Sequence, residues 1–260
     1  MIQLEMIKPF FSPQIRNNPA FGKYMLKEYI QVLMLDYLSN TPAIRKLDFI
    51  GGTHLRLIKG IDRFSEDLDF DCKAFSKTAF MEMTDGVVRF LRNYGLPARV
   101  KDRENKKLEA FRRNIYFPGL LYDMKLSAHR DERFLIKIEC QDQGVEYVSE
   151  IAHIKACGMF FPVPVPPDSV ICAMKLAAML DRQKGRDFYD AIFLLSQTIP
   201  DFTFLKERCG ISNMKELKNA ARQTIQAVNL NSKMKDFQHL VFNKSNSRKM
   251  LRIPEFINAL

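Results

Sequence analysis

"FIGGTHLRLIKGIDRFSEDLDFD", Phe49 to Asp71, is the stretch that decides how this chain is read. It opens in a short apolar run, Leu47 to Ile50, that stops at Gly51-Gly52 and reads as a strand ending at a turn. Thr53 to Ile58 follows as a short helix, and Glu66 to Asp71 as a second strand. Side chains on a strand alternate faces. Leu68 and Phe70 therefore enter the core while Asp67, Asp69 and Asp71 share the other face. Same-face neighbours lie about 7 Å apart along a strand. Carboxylates drawn closer repel, and one pKa rises unless a cation sits between them. Hard oxygen donors so placed suit Mg²⁺, which takes one or two carboxylates plus substrate phosphates.

A bare Asp-x-Asp is more often a solvated strand face, but its surroundings change the reading. Two glycines let the backbone approach a ligand closely. The N–H groups at a helix start form an anion site. Thr53 can cap the helix or donate its hydroxyl to a phosphate oxygen. Strand, Gly-Gly-Thr, helix, then a strand with Asp-x-Asp sets a phosphate cradle beside a metal site, and that order describes nucleotidyl transfer.

The same stretch resembles the first motif of the AbiEii/AbiGii toxin family, a branch of the DNA polymerase β-like nucleotidyltransferase superfamily. That motif is Gly-Gly-Thr/Ser, a helix, then Arg-x-Ser-x-Asp-Leu-Asp-Phe. Gly51, Gly52, Thr53, Arg63, Ser65, Asp67, Asp69 and Phe70 match it. A later block, "AMKLAAMLDRQKGRDFYDAIFLL", is similar to the family's second signature through Lys175, Arg182, Lys184, Arg186, Asp187 and Asp190. The two signatures stand more than a hundred residues apart in the expected order. The resemblance covers roughly Phe49 to Leu195 and leaves the basic tail out.

It implies an α+β fold: a polymerase β-like nucleotidyltransferase mixed sheet flanked by helices, followed by a C-terminal helical bundle. It implies a nucleoside triphosphate substrate, with Mg²⁺ (or Mn²⁺) held by Asp67, Asp69 and a third carboxylate. Gly51, Gly52, Thr53, Ser65 and Lys175 would contact the phosphates, and Arg63 would orient the motif or contact phosphate. Asp67, Asp69, Glu139, Lys175 and Asp187 are the expected catalytic group. It further implies a bacterial toxin of a toxin–antitoxin or abortive-infection system, with a cognate antitoxin. The tRNA 3′ end is the favoured acceptor and a protein hydroxyl stays open.

Glu139 is the choice for the third carboxylate, with Asp123 and Asp142 as alternatives. It lies on an alternating strand, opposite Phe134, Ile136, Ile138 and Cys140. A solvent-facing acid paired with a lysine would look the same. Lys175 sits on an apolar helix, where a lysine commonly snorkels to the surface; the resemblance gives it the triphosphate instead. Asp187 and Asp190 share a helix face, and pairing with Arg182 or Arg186 would explain them structurally. Asp71 falls outside the motif and reads as a structural or solvated acid.

Around these motifs, residues 17 to 40 and Ser76 to Tyr94 read as helices, and Ala98 to Lys101, Ala110 to Phe117 and Arg133 to Gln141 as strands. "FFPVPVPP", Phe160 to Pro167, carries four prolines in eight residues. It reads as a stiff extended connector, and it sets the expected boundary between a nucleotidyltransferase domain, 1–166, and a helical bundle domain, 167–260. Asp168 or Ser169 would cap a helix from Val170 to Asp181, and Lys184-Gly185 would break it before a helix from Arg186 to Ser196. Further helices are expected around 214–229 and 231–242.

Composition agrees with an anionic partner. Forty Lys+Arg against thirty Asp+Glu give a net charge of +10. From Leu205 to Leu260 there are eleven basic and four acidic residues. This is either a solvated set of helix faces or a polyanion-binding surface. Five scattered cysteines without a CxxC pair fit buried thiols of a reducing cytoplasm. No apolar run approaches the ~20 residues of a membrane span, and no secretory leader is evident. Two rival readings remain: a catalytically inactive nucleotide-binding module, and an RNA-binding interaction module that works through the tail.

Overall fold

The computed structural model describes residues 2–102 and 110–260. They form two compact units. One comprises Met1–Gly60, Phe64–Gly144 and Ser149–Val165; the other comprises Ile61–Arg63, Val145–Val148 and Pro166–Leu260.

The first unit is built on a mixed sheet of β1 (Leu47–Ile50), β2 (Leu68–Cys72), β3 (Arg99–Val100), β4 (Phe111–Tyr116) and β5 (Leu135–Gln141), in the order β1-β2-β5-β4-β3. β2 and β5 run parallel; the other pairings are antiparallel. Short helices α1 (Leu4–Ile7) and α2 (Pro13–Arg16) precede α3 (Gly22–Ser39). α4 (Gly51–Leu57) joins β1 to the loop before β2, α5 (Lys77–Asn93) precedes β3, and α6 (Leu120–Asp123) lies between β4 and β5. The α+β architecture with a mixed sheet thus forms as the sequence implied.

The reasons are local. β5 buries Ile136, Ile138 and Cys140 and leaves Leu135, Lys137, Glu139 and Gln141 partly exposed, the period-two pattern of a strand with one covered face. α5 buries Phe80, Met83, Val87 and Leu91 along one stripe, and the Ser76 hydroxyl caps it by accepting from the Ala79 N–H. α3 is buried on more than one side, so its polar residues Glu28 and Gln31 lie inside.

One expectation is corrected. The proline-rich stretch is strand β7 (Met159–Val165), paired antiparallel with β6 (Glu150–Ala156), which the sequence reading did not foresee. Cys157 and Gly158, at φ 53° and 79°, make the two-residue turn, the geometry that matches strand twist. Pro162 and Pro164 have the same parity along β7. Only alternate residues of an antiparallel strand direct their N–H at the partner, so a strand paired on one edge tolerates prolines of one parity.

The second unit is helical: α7 (Asp168–Asp181), α8 (Gly185–Leu195), α9 (Phe202–Cys209), α10 (Met214–Gln226), α11 (Leu230–Phe237), α12 (Lys244–Ser247) and α13 (Ile253–Ala259). Asp201, Asn213, Asn229 and Asn243 cap α9 to α12 with their side chains. The expected side-chain cap of α7 does not form. Pro167 occupies that position, and Asp168 already lies in the first turn. Gly185 lets α8 touch α11, since a Cβ there would lie 1.7 Å from the Lys233 carbonyl oxygen.

Candidate active site

In the first unit, β1 ends at Gly51 and the chain turns at once into α4. Gly51 has φ +82°, and a Cβ on it would lie 2.1 Å from Asp69 Oδ2. The residue must be glycine for two reasons, backbone conformation and the carboxylate packed against it.

Thr53 is buried, and its hydroxyl donates to the Asp67 carbonyl at 2.5 Å. This bond fixes α4 against the start of β2. Gln31, which the sequence did not single out, completes this clamp. Its amide donates to the Asp67 carbonyl at 3.4 Å and to Thr53 Oγ1 at 3.5 Å. α4 is also held to α3 by a bidentate pair, Arg56 Nε to Glu28 Oε2 at 2.8 Å and Arg56 Nη2 to Glu28 Oε1 at 3.0 Å. Burial raises the Glu28 pKa above the usual carboxylate value, although Arg56 opposes the shift.

Asp69 stands directly opposite Glu139 in the parallel β2–β5 register, where strands are about 4.8 Å apart. Asp67 lies one residue before β2. Lys137, on the same face of β5 as Glu139, places its Nζ 2.7 Å from Asp67 Oδ2 and 3.4 Å from Glu139 Oε1. Arg112 on β4 reaches Glu139 at 2.9 Å. Burial works against the Lys137 ammonium, but the carboxylates of Asp67 and Glu139 outweigh it and raise its pKa. Asp142 follows β5 and accepts from the Gly144 N–H; Asp123 lies in α6. Neither is in the row that contains Asp69 and Glu139. Asp71 is buried and accepts the Gln143 N–H at 3.0 Å, a structural role. Ser65 is buried.

Arg63, Lys175, Asp187 and Asp190 all belong to the second unit. Arg63 is a fully buried cation. Its Nε and Nη2 bind Asp190 Oδ1 and Oδ2 at 2.7 and 2.6 Å. Lys175 Nζ shares Asp190 Oδ2 at 3.0 Å. Burial alone would raise the Asp190 pKa; Arg63 and Lys175 reverse this and hold it at about 2. Arg63 also bridges backbone with Val241, and its neighbour Asp62 accepts from Asn246 and from the Tyr189 hydroxyl. Burial, with Asp62 adding to it, pushes the Tyr189 pKa far up. Asp187 takes two bonds from Arg182, at 2.9 and 2.6 Å, and accepts the Lys184 N–H. It thus caps α8 as well as pairing with Arg182.

The carboxylate row fits a hard divalent cation in part. Among the described residues no three acids, histidines or cysteines already converge as a ready chelate. Asp67 and Asp69 supply the one or two carboxylates that Mg²⁺ takes alongside substrate phosphates. The Lys137 ammonium between Asp67 and Glu139 shows that this row attracts positive charge.

A family model described as nucleotidyl transferase AbiEii toxin, type IV toxin–antitoxin system, matches residues 33–251. No curated protein sequence matches the chain. Among solved structures, JHP933 from Helicobacter pylori aligns at a TM-score of 0.56 and 20% identity over 91% of this chain and 92% of its own. MenT4, a nucleotidyltransferase toxin of Mycobacterium tuberculosis H37Rv, aligns at 0.57 and 15% identity over 99% of both chains. A putative nucleotidyltransferase from H. pylori aligns at 0.50 and 20% identity over 96% of both. These likenesses establish the shared fold, and the family model reaches from α3 through the carboxylate row to the Arg63–Lys175–Asp190 network. The chain belongs to the AbiEii nucleotidyl transferase toxin family of type IV toxin–antitoxin systems.

Proposed function

We propose that the protein is an active nucleotidyltransferase that moves a nucleotide from a nucleoside triphosphate to an acceptor hydroxyl, with the 3′ end of a tRNA as the favoured acceptor. The observation that carries this is the Asp69–Glu139 opposition beside Gly51, with Asp67 one step away. Asp67 and Asp69 would hold Mg²⁺ or Mn²⁺, with Glu139 contributing where Lys137 and Arg112 release it. When bound, the ion would neutralise charge developing at the α-phosphate and lower the pKa of the attacking hydroxyl. Gly51 and Gly52 let triphosphate oxygens approach the backbone beside Asp69. The Thr53–Gln31 clamp fixes the position of Asp67. Ser65, by its place in the motif, supports the same segment. Lys175, steered by Asp190, is assigned to the triphosphate. Arg63 and Asp187 have positioning roles, which their buried ion pairs support.

We assign 1–166 to a nucleotidyltransferase domain and 167–260 to a helical bundle domain that contributes Lys175. We assign the protein to the bacterial cytoplasm with a cognate antitoxin as partner. Among the described residues no helix is long and apolar enough to cross a membrane. The test is transfer of label from each α-labelled triphosphate to total tRNA with Mg²⁺. Label in tRNA that disappears in Asp69→Asn supports the reading.

A second reading is favoured by one observation. Lys137 already neutralises Asp67 and Glu139 from within the protein, as it would in a nucleotide- or RNA-binding module without turnover. Triphosphate binding by calorimetry, with no transfer to tRNA or to lysate proteins, would select that reading.

A further inference from the structure

The partly exposed face of the five-stranded sheet changes character from one side to the other. On β2 and β5 it carries Asp69 and Glu139. On β4 the residues of the same face are Arg112, Asn114 and Tyr116, which pair with Glu139, Lys137 and Leu135 of β5. Their neighbours Arg113 and Ile115 point the other way and are buried. At β3, Arg99 pairs with Tyr116, and the Lys101 N–H donates to the Asn114 carbonyl at 3.0 Å. Arg99 and Lys101 are exposed. Lys101 Nζ lies over the Tyr116 ring, 5.6 Å from its centroid. Asp102, the next residue, is engaged by the Arg113 guanidinium and the Asn114 N–H. The result is a row of cations and one aromatic ring leading from the strand edge to the carboxylates. Three strand spacings, about 14 Å, separate its ends.

We propose that this row, Arg99, Lys101, Tyr116, Asn114 and Arg112, seats the acceptor as a single-stranded RNA 3′ end whose terminal hydroxyl arrives at Asp67 and Asp69. The assignment rests on the nucleotidyl-transfer reading and adds the binding surface that it lacks. Charge complementarity selects a polyanion: Arg99 and Lys101 meet phosphates from exposed positions. A cation next to a half-exposed tyrosine is the combination that holds single strands, where the ring stacks on a base and the cation takes the backbone. The Asn114 amide both donates and accepts, and so matches the 2′-hydroxyl that distinguishes RNA from DNA. The acids at the far end repel phosphate, so the chain ends there and presents a hydroxyl.

The test is fluorescence anisotropy with an unstructured RNA of about ten nucleotides, labelled at its 5′ end, against wild type, Arg99→Glu/Lys101→Glu and Tyr116→Ala. Circular dichroism confirms folding, and triphosphate affinity is measured by calorimetry on the same samples. The double variant is expected to weaken RNA at least about tenfold, with the salt slope of log affinity falling by about 1.4, or 0.7 per lost phosphate contact. Tyr116→Ala weakens RNA but not heparin, and wild type binds DNA of the same sequence less tightly. Triphosphate affinity stays at the wild-type value. RNA affinity unmoved in both variants overturns the proposal, as does an equal loss of triphosphate binding, which would make the row a nucleotide site. If RNA affinity falls as expected while no transfer is found, the transfer reading fails and the RNA surface stands.

Discussion

Asp69 and Glu139 face each other across the parallel β2–β5 pair, and Lys137, two residues before Glu139, bridges from it to Asp67. A strand pairing therefore brings together acids far apart in sequence, and a lysine on the same strand offsets the repulsion between them. Without that ammonium Asp67 would lose its lysine partner and Glu139 would keep only Arg112, so the row would carry more net negative charge on a partly buried face.

Replacement of Lys137 by Met removes the ammonium that Asp67 and Glu139 share. Mn²⁺ binding without nucleotide, followed by electron paramagnetic resonance, is expected to tighten at least about fivefold. That corresponds to the ~1 kcal/mol that two unit charges exchange at 4 Å in water. Unchanged or weaker binding would mean that Lys137 does not compete for these carboxylates.

Gly51→Ala places a methyl group against Asp69 Oδ2 at a φ of +82°. The left-handed backbone alone costs about 1–2 kcal/mol for a residue with a Cβ. Denaturant unfolding should show at least that loss, and nucleotide transfer should fall to background because Asp69 must move. A variant with wild-type stability and transfer would show that the Gly51–Asp69 contact is not needed.

Asp190→Ala leaves Arg63, wholly buried, and Lys175 without their shared carboxylate. Breaking a buried pair costs about 3–5 kcal/mol, and urea unfolding should show a loss of this size. Arg182, the partner of Asp187, is about two-fifths exposed. Asp187→Ala should therefore cost less, about 1–2 kcal/mol, mostly through the lost helix cap.

The same network sets an acid limit. The folded-state pKa of Asp190 is about 2, below the ordinary value of 3.8. A carboxylate depressed on folding adds stability that is complete above its unfolded pKa and is lost as pH falls through the folded one. Asp190 should thus withdraw about 2 kcal/mol between roughly pH 4 and pH 2. In Asp190→Asn the slope of unfolding free energy over that window should flatten relative to wild type. Identical slopes would contradict the assignment.

Much of this was legible in the chain. Period-two alternation defines β5 and by itself puts Lys137 and Glu139 on one face. The Gly-Gly break and the leucine–aspartate alternation marked β1, α4 and β2, although α4 begins two residues earlier, at Gly51, and β2 two residues later, at Leu68, than the pattern implies. Partners were less legible. Spacing showed that Asp187 and Asp190 share a face, but only tertiary packing shows that Asp190 turns to Arg63, 127 residues away. Gln31 carries no sequence signal, because its role depends on α3 being buried on the side where Thr53 and Asp67 meet. The proline-rich stretch misled because proline excludes a central strand; an edge paired on one side accepts it. The acceptor of the Thr53 hydroxyl, the Asp67 main-chain carbonyl, is likewise invisible in sequence.

The central claim is that Asp67 and Asp69 serve nucleotidyl transfer. The direct measurement is single-turnover transfer of α-labelled triphosphates to total tRNA with Mg²⁺, comparing wild type with Asp67→Asn and Asp69→Asn, each shown to be folded by thermal unfolding. Labelled tRNA with wild type, lowered at least about a thousandfold in both variants as for loss of a group acting in the transition state, is the predicted result. Transfer at the wild-type rate in both folded variants would contradict it.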